Sequence, residues 1–106
     1  MSERRVFPRK RRRLLVSFEL AGAPCSGFTC DLGHTGIFIA TTRLPHVGEE
    51  ISAEIEAPGG KKVKCRGTVV RARKNPSSLS FTEATGFSLK LAGYSEEYFN
   101  LVESLG

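Results

Sequence analysis

The sequence predicts an all-β fold, a six-stranded antiparallel barrel with one C-terminal α-helix. Three observations lead there. Apolar and polar residues alternate with a period of two through most of the chain. Turn signals interrupt the alternation at short intervals, and the period becomes helical only after Ser95. A twisted sheet of this length removes its exposed edges by closing on itself.

Leu14, Val16, Phe18 and Leu20 fall on one face of the first segment, with Ser17 and Glu19 on the other, the pattern of a half-buried strand. Ala21-Gly22-Ala23-Pro24 breaks it. Gly27 to Asp31 reads as a short second strand running into Leu32-Gly33-His34-Thr35-Gly36, and Ile37 to Thr41 is a β-branched and aromatic third. Leu44 to Gly48 is a turn. Ile51, Ala53 and Ile55 then alternate with Ser52, Glu54 and Glu56. Pro58-Gly59-Gly60 is the strongest hairpin signal, followed by Val63, Cys65, Gly67 and Val69 in alternation with Lys62, Lys64, Arg66 and Thr68. The polar segment Arg71 to Ser80 reads as a loop, and Phe87, Leu89 and Leu91 define a last strand.

At the C-terminus Ser95 is suited to cap a helix, and Glu96 and Glu97 suit its positively polarised first turn. Tyr98, Leu101, Val102 and Leu105 share one face, and Gly106 ends the run. That face is expected to pack on the barrel.

The chain has 106 residues, 40% hydrophobic and 25% charged, enough for one soluble domain with a modest core. So small a scaffold suits binding better than a catalytic cleft. Catalytic Ser-His-Asp sets, paired carboxylate motifs and phosphate-binding glycine loops are not legible, so an enzyme is not expected. Cys25, Cys30 and Cys65 lack Cys-x-x-Cys spacing, and His34 and His46 stand twelve residues apart. The cysteines are therefore expected to be reduced and packed as small apolar residues, with no metal centre or cofactor. No apolar run approaches the ~18 residues of a membrane span. A cytoplasmic protein without membrane insertion is expected.

The formal net charge of +5 is unevenly distributed. Within residues 1–13, Arg4, Arg5, Arg9, Lys10, Arg11, Arg12 and Arg13 oppose Glu3 alone, while the remainder of the chain is nearly neutral. The division is a basic N-terminal arm, 1–13, and a barrel with its helix, 14–106. Three readings of the arm stand: a solvated tail, a patch for nucleic acid or anionic membrane, and a pocket for a phosphorylated small molecule. The preference for arginine over lysine leans towards planar, bidentate recognition of phosphate or a guanine edge. Phe7 is the only aromatic residue in the segment, a poor stacking platform, so specific nucleic-acid binding is not expected.

Arg4-Arg5-Val6-Phe7-Pro8-Arg9, ahead of the first strand, and Asp31-Leu32-Gly33-His34-Thr35-Gly36, between the second and third, stand out together. This arrangement resembles the PilZ family, whose motifs are Arg-x-x-x-Arg and Asp/Asn-x-Ser-x-x-Gly. Arg5 and Arg9 match the first; Asp31 and Gly36 match the second; Gly33 stands where the family has serine. Val47-Gly48-Glu49, Gly67 to Arg71 and Gly86 to Leu91 are similar, in order, to the family's later strands.

The resemblance implies a PilZ-type barrel that binds the second messenger cyclic di-GMP and signals to a partner protein in bacterial motility or biofilm regulation. It implies roles as well. Arg5 and Arg9 would grip guanine and phosphate, Asp31 would read the guanine edge, and Gly36 would let the backbone approach closely. Arg4 resembles the extra arginine of members that take up a stacked pair of ligands. The chemistry is consistent, since a guanidinium pairs with guanine O6 and N7, and a carboxylate accepts from N1–H and N2–H. Gly33 cannot supply the serine hydroxyl. One such bond is worth roughly 1.5–3 kcal/mol, about ten- to a hundredfold in affinity, and His34 and Thr35 are the nearest substitute donors. The competing expectation is a degenerate PilZ adaptor that binds no nucleotide and works through protein contacts. Singly, Asp31 is a turn-capping residue, Gly33 and Gly36 are turn glycines, and Arg11 to Arg13 are solvated charges.

Overall fold

Alternation along the first apolar segment produces β1, Leu15–Leu20, in a computed structural model that describes residues 9–74, 85–93 and 95–105. There follow β2, Ala23–Leu32; β3, Gly36–Ala40; β4, Glu50–Glu56; β5, Lys62–Arg73; β6, Gly86–Leu91; and α1, Glu96–Ser104. Every pairing is antiparallel, and the strands close in the order β1-β2-β3-β6-β5-β4. This is the all-β barrel with a C-terminal helix that the sequence predicts.

Inward-facing residues fill the barrel. Val16, Ile37, Ile39, Ile55 and Phe87 are fully buried, and the Phe18 and Phe87 rings meet edge to face at 5.4 Å across the interior. Ser95 caps α1 by accepting a 3.2 Å hydrogen bond from the Tyr98 N–H. The expected helix face, Tyr98, Leu101, Val102 and the capping Leu105, is buried in the same core. Among the described residues, no helix is long and apolar enough to cross a membrane.

Two strand boundaries differ from the sequence expectation. The β1–β2 turn is only Ala21-Gly22, both with positive φ (52° and 80°), so Ala23 to Ser26 belong to β2. Pro24 is tolerated because of its register. Leu20 and Ala23 close a two-residue hairpin as a hydrogen-bonded pair, so the next pair, Glu19 and Pro24, needs no ladder N–H. The second difference lies at Arg71-Ala72-Arg73, expected as loop. A register shift after Val69 pairs them with Ser88, Phe87 and Gly86, and β5 continues to Arg73. Lys74 follows the strand as exposed non-strand backbone, and the rest of that expected loop, 75–80, and Gly106 lie outside the described residues.

Candidate ligand-binding site

The site begins at an irregularity in β2. Thr29 and Leu32 are both buried, so strict alternation from Thr29 would turn Asp31 into the core and Leu32 out of it. A register shift between Thr29 and Asp31 inserts one residue, and both Cys30 and Asp31 reach the outer face while Leu32 returns to the interior.

The arm is fastened along this strand. Lys10 and Leu32 exchange backbone hydrogen bonds of 2.7 and 2.8 Å. Thr29 Oγ1 donates to the Arg12 carbonyl at 2.6 Å and accepts from the Leu14 N–H at 2.9 Å. Lys10 Nζ donates to the Leu105 carbonyl at 2.9 Å, tying the arm to the end of α1.

This extended course brings Arg9 over the loop between β2 and β3. Its Nε donates to Asp31 Oδ1 at 3.0 Å and its Nη2 to the same oxygen at 2.5 Å, with both side chains about one-third exposed (34% and 33%). Two glycines make room. A Cβ at Gly33 would stand 3.0 Å from Arg9 Cδ, and one at Gly36 would stand 3.0 Å from Arg9 Nη1 and 3.2 Å from the Leu89 carbonyl. The Gly33 N–H donates to the Gly36 carbonyl at 2.8 Å and closes the loop.

Helix α1 holds the same loop from the other side. The Tyr98 hydroxyl donates to the Gly33 carbonyl at 2.7 Å in a buried contact. Burial, and then the neighbouring Cys65, push the Tyr98 phenol well above its ordinary range. His34 stacks on Phe99 at 4.4 Å, and its Nε2 lies 2.9 Å from Glu103 Oε2.

Guanidinium groups accumulate on the outer face. Arg13 lies 4.0 Å over the half-exposed Phe28 ring. Cys30 feels the fields of Arg11, Arg13 and Arg73, which oppose an upward push on its thiol from burial and from Asp31. What this arrangement offers is a carboxylate beside several cations on an open surface, able to hold a ligand that is anionic in one part and hydrogen-bond donating in another.

A PilZ domain family model matches residues 3–104. The chain belongs to the PilZ domain family. PilZ domains are receptor and adaptor domains. The structure of the Bacillus subtilis inhibitor of motility, MotI/DgrA, superimposes with a TM-score of 0.77 at 17% identity, over 98% of this chain and 50% of that one. The chain thus spans half the length of that structure, and the likeness establishes the PilZ fold. No curated protein matches the sequence.

Of the PilZ motif residues, Arg9, Asp31, Gly33 and Gly36 come together in one contact group. Arg4 and Arg5 lie outside the described residues. His34, a candidate substitute for the missing serine hydroxyl, turns instead to Phe99 and Glu103 on the helix. Arg11, Arg12 and Arg13 are all exposed, as expected of solvated charges; the Arg12 carbonyl is bonded to Thr29, and of the three guanidinium groups that of Arg13 lies over the Phe28 ring.

Two hollows lie elsewhere on the described surface, and neither is lined by Arg9 or Asp31. An open groove of about 1150 Å³ runs along β1, the start of β2, β4 and β5, and a cavity of about 280 Å³ lies beneath α1 between Thr35, Cys65, Leu91 and Tyr98. The motif site is a shelf.

Sequence reasoning missed Thr29 and Tyr98 as supports of the shelf. Thr29 carried a signal, a polar residue at an inward position of a strand. Tyr98 carried none beyond its place on the apolar helix face, since its hydroxyl partner is set by packing.

Proposed function

We propose that the chain is a cyclic di-GMP receptor and adaptor, acting in the cytoplasm by presenting an altered surface to an effector protein. The observation that carries this reading is the convergence of Arg9 and Asp31 across Gly33 and Gly36. A carboxylate accepts from guanine N1–H and N2–H, and a guanidinium pairs with O6, N7 or phosphate. On this reading the two side chains now neutralise each other and exchange that contact for the ligand. Exposed ion pairs of this kind are worth about 0–1 kcal/mol, so the exchange is easy. Arg5 joins from the arm to complete the grip on guanine and phosphate, and Arg4 bears on whether one ligand or a stacked pair is held. Because Lys10 to Leu14 are already fastened to β2, ligand-dependent rearrangement concerns the Arg9 side chain and the segment before it.

One observation favours a second reading, the adaptor that binds no nucleotide. Gly33 removes the motif hydroxyl, and Arg9 covers the space above it. Isothermal titration calorimetry of the purified protein with cyclic di-GMP, and with GTP as control, separates the two. Saturable heat with the cyclic dinucleotide alone supports the receptor. Absence of binding at several temperatures, up to high micromolar ligand, supports the adaptor.

A further inference from the structure

Phe38 is buried at 9% exposure, yet it does not belong to the barrel core. Its neighbours Ile37 and Ile39 point inward, so its ring lies on the outer face of β3. Phe38 is the cross-strand partner of Asp31 on one side and of Ser88 on the other. The ring lies across Gly86, where a Cβ would come within 2.8 Å of its Cε1. Gly86 pairs in turn with Arg73 on β5, whose guanidinium carbon stands 5.7 Å from the ring centroid. A register shift in each of two strands is needed for this row. The shift in β2 sets Asp31 opposite Phe38, and the shift in β5 sets Arg73 opposite Gly86.

The row has a chemical logic that rests on the nucleotide-binding reading above. A purine whose hydrogen-bonding edge meets Asp31 must extend away from it along the surface. Arg9 and the arm close one side. The other side is the Phe38 ring, one strand spacing away, roughly 5 Å, and the Arg73 guanidinium already lies over that ring. A guanidinium that stacks on a benzene ring stacks equally well on a purine. Its charge also reaches the motif strand, since Arg73 is among the cations that act on Cys30 beside Asp31.

We propose that Arg73 is a further ligand-contacting residue, a planar cation backed by Phe38 that stacks on the guanine read by Asp31. Neither residue belongs to the two sequence motifs. The contact selects a flat heterocycle beside a negative charge, so it favours the nucleobase and not merely the phosphate.

Calorimetry with cyclic di-GMP on the parent, Arg73→Ala and Arg73→Lys tests it, with thermal unfolding of each variant as the control for folding. The expected result is a parent that binds, an Arg73→Ala variant weakened roughly tenfold or more, and an Arg73→Lys variant that recovers only a small part, since lysine restores the charge but not the plane. If the parent binds and Arg73→Ala binds equally well, this inference is overturned while the receptor reading stands. Full recovery in Arg73→Lys would overturn stacking and leave a point-charge contact. A parent that does not bind would overturn the receptor reading and this inference with it.

Discussion

The Arg9 side chain lies directly over Gly33, whose missing Cβ would stand 3.0 Å from Arg9 Cδ and 3.8 Å from Nε. The residue that departs from the PilZ serine is therefore the one on which Arg9 rests as it reaches Asp31. A serine there would press Arg9 outward by a few tenths of an ångström, loosen its contact with the carboxylate, and supply a hydroxyl. Gly33→Ser should accordingly tighten cyclic di-GMP binding by about tenfold or more. Calorimetry of the two proteins side by side decides it, and an unchanged affinity would mean that neither the hydroxyl nor the release of Asp31 matters.

Arg9→Ala and Asp31→Ala should each abolish measurable binding while leaving the fold intact. Both side chains are about one-third exposed, so removing their ion pair should change unfolding free energy by about 0–1 kcal/mol. Chemical denaturation beside calorimetry checks both halves. Two variants that bind like the parent would show the site to be misassigned.

Tyr98→Phe removes the hydroxyl that donates to the buried Gly33 carbonyl. The orphaned acceptor should lower stability by about 1–2 kcal/mol. Urea unfolding measures this directly. A stability equal to the parent's would mean that water reaches the carbonyl once the hydroxyl is gone.

Ala21 is the described non-glycine residue with positive φ, at the first central position of the two-residue β1–β2 turn. Such a turn needs left-handed backbone at both positions, which asparagine tolerates and alanine resists by roughly 1–2 kcal/mol. Ala21→Asn should raise the unfolding free energy by about 0.5–1 kcal/mol. It lies away from the shelf and should leave ligand affinity as it was.

Burial pushes the Cys65 thiol from 9.0 up to about 11, and it raises the Tyr98 phenol as well. Both groups hold their protons more tightly in the folded protein than in the unfolded chain. The stability that Cys65 contributes is whole below pH 9 and is lost as pH rises through about 11, while the Tyr98 contribution begins to fall only above pH 10 and goes on falling beyond that window. Denaturation midpoints should therefore fall across that window. Cys65→Ser, which removes one of the two groups, should flatten the decline; an equally steep decline would leave Tyr98 as its source.

The barrel was legible because its core pattern is local. Val16, Phe18, Ile51, Ile55, Phe87 and Leu89 announce their faces by alternation, and Ser95 with Tyr98, Leu101 and Val102 announces the helix. Pro24 and Arg71 to Arg73 were misread for one reason. Proline and charge look like interruption, yet both are harmless where the register leaves the N–H unneeded or the side chain outside.

By itself the sequence determined the fold class, the strand and helix faces, and the two motifs that mark the shelf, since each depends on residue type and short-range spacing. Tertiary structure decided which of those residues meet. The inserted residue in β2 turns Asp31 outward, the Lys10–Leu32 pairing carries Arg9 over Gly33, and the shifted register of β5 carries Arg73 to Phe38. Those outcomes depend on register between distant segments. Register in a closed sheet follows from the packing of all six strands together, and no single stretch of sequence contains it.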